Sequence, residues 1–111
     1  MSTVPALLQG NPSSAAVCAD LFRDLDAVGP YSVEEKKTSI HITNGRAAFL
    51  GLHPRKQGLR LNIVLTKALE GPRVAKSERV SANRYHNEVD VREPSEIDAE
   101  LLAWIGEAYH R

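Results

Sequence analysis

Apolar and polar residues alternate through the middle of the chain and recur at helical spacing near both ends. Val17, Leu21, Leu25 and Val28 repeat at intervals of three or four, which gives a helix one apolar stripe. Asp20, Arg23, Asp24 and Asp26 mark its wet side. Gly29-Pro30 ends the pattern, because glycine accepts the conformation past a helix end and proline cannot continue the helix. The expected N-cap is Ser13 or Ser14. Residues 1–14 contain two prolines, a glycine and several serines and read as a flexible leader.

Strands follow. Thr38-Ser39-Ile40-His41-Ile42-Thr43 places Ile40 and Ile42 on one face and Ser39, His41 and Thr43 on the other. Asn44-Gly45 then predicts a type I′ turn, with Ala47 to Leu52 as the second arm of a hairpin. Pro54 to Gly58 is a loop. Leu59 to Leu65 is a third strand, with Leu59, Leu61, Ile63 and Leu65 on the apolar face and Arg60 and Asn62 on the polar one. Residues 66–82 show no clear period and predict a loop or a short irregular strand. Arg84 to Val91 alternates again, with Val89 and Val91 inward. Ser95 is the expected cap of a last helix, with Asp98 in the reciprocal position of a capping box. The buried stripe of that helix is Ile97, Leu101, Trp104, Ile105 and Ala108.

The order helix, strands, helix with short strand connections predicts an α+β fold: a two-layer sandwich with a largely antiparallel sheet. Each helix has one apolar stripe and the sheet has one apolar face, so the N-terminal and C-terminal helices pack together on that face. Residues 15–111 then make a single domain, and the other sheet face is left to water or a partner.

Composition narrows the functional classes. The 111 residues carry 14 basic and 14 acidic side chains, for a net charge of zero. No global field draws in nucleic acid or an anionic membrane, so any such contact needs a local patch. The single Cys18 excludes an intrachain disulfide and a multi-cysteine metal site, and a free thiol suits a reducing, cytoplasmic location. No apolar run approaches the ~20 residues that span a bilayer. The short apolar patch Val4 to Leu8 has no basic flank and makes no signal peptide.

The candidate chemistry lies on the polar face. Arg84, His86, Glu88 and Asp90 share one side of their strand by parity, and His41, Arg60 and Asn62 belong to the same face. We take His41, Arg60, Asn62, Arg84, His86 and Glu88 as a candidate ligand-binding set. A His-carboxylate pair there could transfer protons, and with His41 it could hold a metal. Ordinary cross-strand pairing on a solvated sheet outweighs both, so no catalytic residue, metal or cofactor is assigned. A second candidate is a basic patch from Lys36, Lys37, Arg55, Lys56, Arg60, Lys67, Arg73, Lys76, Arg79 and Arg84, of the kind that meets phosphate or nucleic acid. The few aromatics form no stacking ladder, so nucleic acid is not favoured. The expectation is a small binding domain working through its open face. Its partner is a protein, a second copy of the chain or a small anionic ligand. The alternative is a small enzyme built on His86, Glu88 and His41.

Several segments match a known pattern in order and spacing. They are Val28-Gly29-Pro30, Lys37-Thr38-Ser39-Ile40, Ala48-Phe49-Leu50, Gly58-Leu59-Arg60-Leu61, Tyr85-His86, and Ile97-Asp98-Ala99-Glu100-Leu101-Leu102-Ala103-Trp104-Ile105 with Ala108-Tyr109. From about Leu21 to Tyr109 the chain resembles the bacterial domain of unknown function 5655. That resemblance implies a stand-alone small protein or a C-terminal module. Some such proteins are labelled predicted transport proteins and some carry a nuclease-like N-terminal part. It implies no reaction and no site residues.

Overall fold

The structure is a computed structural model and describes residues 3–111. Helix α1 spans Pro12–Val28 and helix α2 spans Ala99–Tyr109. Between them lie β1 (Ser32–Glu35), β2 (Ile40–Thr43), β3 (Ala48–Pro54), β4 (Leu59–Leu65), β5 (Val74–Ser81) and β6 (Arg84–Val91). The strands form one antiparallel sheet in the order β1-β2-β3-β4-β6-β5. The fold is α+β, as the sequence pattern implies.

Strand parity sets the two faces. Leu59, Leu61 and Ile63 on β4 stand opposite Val91, Val89 and Asn87 on β6. The leucines, valines and isoleucine among them are buried in one cluster with Val17, Leu21 and Leu25 of α1 and Leu101 and Ile105 of α2. Both helices therefore cover the same face. Burying a side chain of this size contributes about 1.5–3 kcal/mol, and the cluster of leucines and isoleucines is what fixes the strand register. Trp104, expected in the buried stripe, lies half-buried at the cluster's rim, with the Arg73 guanidinium 5.8 Å from its ring centre.

Several expectations are corrected. Asn11, not Ser13 or Ser14, caps α1: its side-chain oxygen accepts the Ser14 N–H at 3.2 Å, and Pro12 fills the first helical position. The two serines instead reach across to the β3–β4 turn. Ser13 Oγ accepts the Gly58 N–H at 3.0 Å, and Ser14 Oγ donates to the Gly58 carbonyl at 2.6 Å. Leu8 is fully buried in the core. The helix thus starts inside the stretch read as a leader, and the first two residues of that stretch lie outside the described residues.

At the other end Asp98 is itself the cap of α2, accepting the Leu101 N–H at 3.0 Å. Ser95 instead lies in a short 3-10 turn at Pro94–Glu96 that precedes the helix. The β2–β3 hairpin forms, but not through a type I′ turn. That turn needs a positive φ at Asn44, and among the described residues only glycines have one. Asn44 instead closes a wider loop by accepting the Arg46 and Ala47 N–H groups, while its Nδ2 donates to the Tyr109 carbonyl at 2.7 Å.

Two strands escape the hydrophobic pattern because they are the sheet edges. Only Val33 of β1 is even half-buried, and of β5 only Val74. β5 also carries register shifts at Val74/Lys76 and Arg79/Ser81. Such bulges erase the period-two signal and blunt an edge against unwanted pairing.

Candidate functional site

The face away from the helices is built in rows across the strands. One row runs His41, Gly51, Asn62, Glu88, Lys76. The next runs His53, Arg60, Asp90, and a third runs Val64, His86, Glu78. His41, Arg60, Asn62, His86 and Glu88 thus project to one side, as parity predicts. A pocket of about 290 Å³ opens among His53, Arg60, Asn62, Glu78, His86 and Glu88, with Arg55 at its edge.

Not every candidate joins it. His41 stands three strands from Glu88 in its row, a distance of ~14 Å at ~4.8 Å per strand spacing. Arg84 is exposed at the hairpin end and acts on the pocket only through its charge. The His41, His86 and Glu88 grouping needed for an enzyme is therefore not assembled. Among the described residues no three His, Cys, Asp or Glu side chains gather where they could hold a metal.

Arg60 occupies the centre and pairs with two acids. Its Nε donates to Asp90 Oδ1 at 2.7 Å and its NH2 group to Oδ2 at 2.9 Å, while the NH1 group reaches Glu88 Oε1 at 3.3 Å. This two-point pairing raises the Arg60 pKa and lowers that of Asp90, with the hydrogen bond between them as the main cause in both. The guanidinium charge is balanced inside the sheet.

The groups left unpaired are Asn62 Oδ1 and His86 Nε2. Both atoms are buried, and neither has a hydrogen-bond partner among the described residues. Burial lowers the His86 pKa, helped by the positive charge of Arg84, so the ring is neutral at pH 7. Gly51 leaves space beside them. A Cβ there would lie 3.4 Å from Asn62 Cβ and 3.9 Å from His53 Nε2.

A family model for a domain of unknown function, DUF5655, matches residues 6–111. The chain belongs to that family. No curated protein and no solved structure matches it.

This DUF5655 domain hides part of its site from sequence reading. Glu78 comes from the bulged edge strand β5, where no period announces which way a side chain points. His53 lies at the end of β3, beyond a bulge at Phe49 that turns both Phe49 and Leu50 into the core. Asp90 is readable as a member of the row, but its hold on Arg60 is a cross-strand fact. The proposed basic patch is dispersed in the DUF5655 fold. Lys36, Arg60, Lys67, Arg73 and Lys76 each lie in an ion pair with an acid. Cys18 is buried, and burial pushes its thiol pKa up to about 12, which makes it an inert core residue. No helix among the described residues is long and apolar enough to cross a membrane.

Proposed function

We propose that this domain is a binding module that takes a small polar ligand, or a polar side chain of a partner, in the open-face pocket. The observation behind this reading is the pair Asn62 Oδ1 and His86 Nε2, both buried without a partner at one pocket. Buried polar atoms are nearly always hydrogen-bonded, and each exception costs about 1–3 kcal/mol. Two such atoms on residues that line one pocket fit a site completed by an incoming molecule.

The surrounding chemistry selects for donors. Asn62 Oδ1 only accepts, Glu78 and Glu88 only accept when ionised, and Arg60 directs three of its N–H groups to Asp90 and Glu88. A hydroxyl, amide or ammonium group suits this lining, and a bare anion does not. Both atoms are covered in the free protein, so binding includes a small side-chain shift at the pocket wall. The inert, reduced thiol supports a cytoplasmic setting for this role.

Thermal unfolding with acetamide, methylammonium and glycerol as probes tests the reading. The expected result is a saturable rise in Tm with at least one of them, absent in Asn62→Leu. An equal response of both proteins to every probe would contradict the proposal.

A further inference from the structure

Beside the polar pocket lies a second cleft of about 410 Å³, lined by Pro54, Arg55, Lys56, Gln57, Asp90 and Arg92. Its charge differs from that of its neighbour. Asp90 is the only acid in the lining, and both its oxygens are taken by Arg60. None of Arg55, Lys56 and Arg92 has a side-chain hydrogen bond or an ion pair to an acid among the described residues. Arg55 and Arg92 both lie close enough to Asp90 to act on its charge. Three cations without a side-chain partner therefore surround one cleft on a protein whose net charge is zero, with the Glu96 carboxylate nearby, accepting the Arg92 N–H at 2.8 Å.

The backbone that carries them is held in place. The Arg55 carbonyl accepts from Asn11 Nδ2 at 2.8 Å and from Ser14 Oγ at 3.3 Å. The Gly58 N–H and carbonyl are taken by Ser13 and Ser14. Gly58 has φ 75° and presses so tightly on the last residues of β6 that a Cβ would overlap the Val91 carbonyl oxygen and Arg92 Cα. The turn bearing Arg55, Lys56 and Gln57 is thus clamped between the start of α1 and the end of β6, next to Arg92. A fixed backbone under three like charges reduces the ordering cost of binding a counter-charge.

We propose that this cleft is a phosphate-binding site, formed by Arg55, Lys56 and Arg92 with Gln57 as a neutral donor. Arginine and lysine supply charge-assisted hydrogen bonds to phosphate oxygens, and the cleft has room for one or two phosphoryl groups. It is separate from the donor-selecting pocket, although Arg55 stands at the boundary of both. The phosphate could belong to a free phosphorylated small molecule or to a nucleic-acid backbone.

The test is an NMR titration of the uniformly 15N-labelled chain with pyrophosphate, and separately with a short single-stranded DNA, each at constant ionic strength set with chloride and repeated at a second chloride concentration. Saturable shifts at residues 55–58 and 92 are expected, with affinity roughly tenfold weaker in Arg92→Gln and in Lys56→Gln. Asn62→Leu leaves this binding unchanged, which separates the cleft from the polar pocket. Both substitutions are of exposed side chains and leave the spectrum of the fold intact. Tighter binding of the DNA, with a salt slope above that of pyrophosphate, assigns the phosphate to nucleic acid; the reverse assigns it to a small molecule. Shifts that do not saturate with either probe, or saturable binding that both substitutions leave unaltered, would overturn the proposal.

Discussion

Arg60 and Asp90 face each other across β4 and β6 and are joined at two points, with Nε to Oδ1 at 2.7 Å and the NH2 group to Oδ2 at 2.9 Å. This pair decides the character of the open face. Read from the sequence alone, Arg60 belongs to a basic patch of the kind that meets phosphate. In the fold its charge is satisfied by Asp90 and Glu88, so the pocket beside it favours donors. The unpaired positive charge appears one step away, at Arg55, Lys56 and Arg92.

The Arg60–Asp90 pair should show measurable coupling. Both side chains are partly shielded, at 25% and 35% exposure, and the two-point geometry makes the pair stronger than an ordinary surface ion pair. A double-mutant cycle with Arg60→Gln and Asp90→Asn is expected to give about 1–2 kcal/mol of interaction energy in urea unfolding. Simple additivity would mean that the sheet does not depend on the pair, and that Arg60 is free for an anion after all.

Asn87 carries a structural role that no period in the sequence reveals. It is fully buried on the core face. Its oxygen accepts the Leu69 N–H at 2.8 Å and the Ser77 hydroxyl, and its Nδ2 donates to the carbonyls of Ile63 and Lys67. It therefore fastens the β4–β5 loop to the sheet. Asn87→Ala leaves the Leu69 N–H unmet and is expected to destabilise by about 2–3 kcal/mol. Hydrogen exchange should quicken first at residues 66–70. Uniform acceleration across the sheet, with no local excess there, would contradict the fastening role.

His86 makes stability depend on pH near neutrality. Its folded pKa lies below the usual 6.5 because burial and Arg84, opposed by Glu78 and Glu88 and joined by Arg111, disfavour the charged ring. As pH falls through ~6.5 the unfolded chain takes up a proton before the folded one does, so stability decreases with falling pH. His86→Leu should remove that slope between about pH 6.5 and the lower folded pKa, and should raise stability at pH 7, because an unpaired ring nitrogen is replaced by an apolar group. An unchanged slope in the variant would assign it to another group.

A further loss of stability belongs to more acidic solution. Asp90 has its pKa lowered by Arg60, and Asp98 by the Leu101 N–H and then Arg73. Their contributions are complete above the ordinary carboxylate pKa of ~3.9 and vanish as pH falls through the lowered folded values. Asp90→Asn should reduce the stability lost as pH falls below about 4. A variant that loses as much as the parent would remove Asp90 from the account.

The sequence exposed what repeats and concealed what is made by contact between distant segments. Both helices, the four central strands and the shared face of Arg60, Asn62, His86 and Glu88 follow from period alone, because Leu61, Ile63 and Val89 must point inward. The caps lie a residue or more from their expected places, since the side-chain oxygens of Asn11, Ser13 and Ser14 can all accept from a helix start, and only the β3–β4 turn decides which of them is diverted. β1 goes unread, and β5 is legible only as a loop or a short irregular strand, because an edge strand buries too little to need alternation. The pocket lost His41 and gained His53 and Glu78 because strand order, not strand parity, sets which residues stand side by side.

The central claim, that the open-face pocket receives a donor-bearing ligand at Asn62 and His86, is tested most directly by NMR. The side-chain amide of Asn62 and the ring of His86 are followed while acetamide, methylammonium and phosphate are added in turn. Saturable shifts at both side chains with acetamide or methylammonium, and none there with phosphate, are the predicted result. Signals that stay still with every probe, or that respond to phosphate alone, would contradict it.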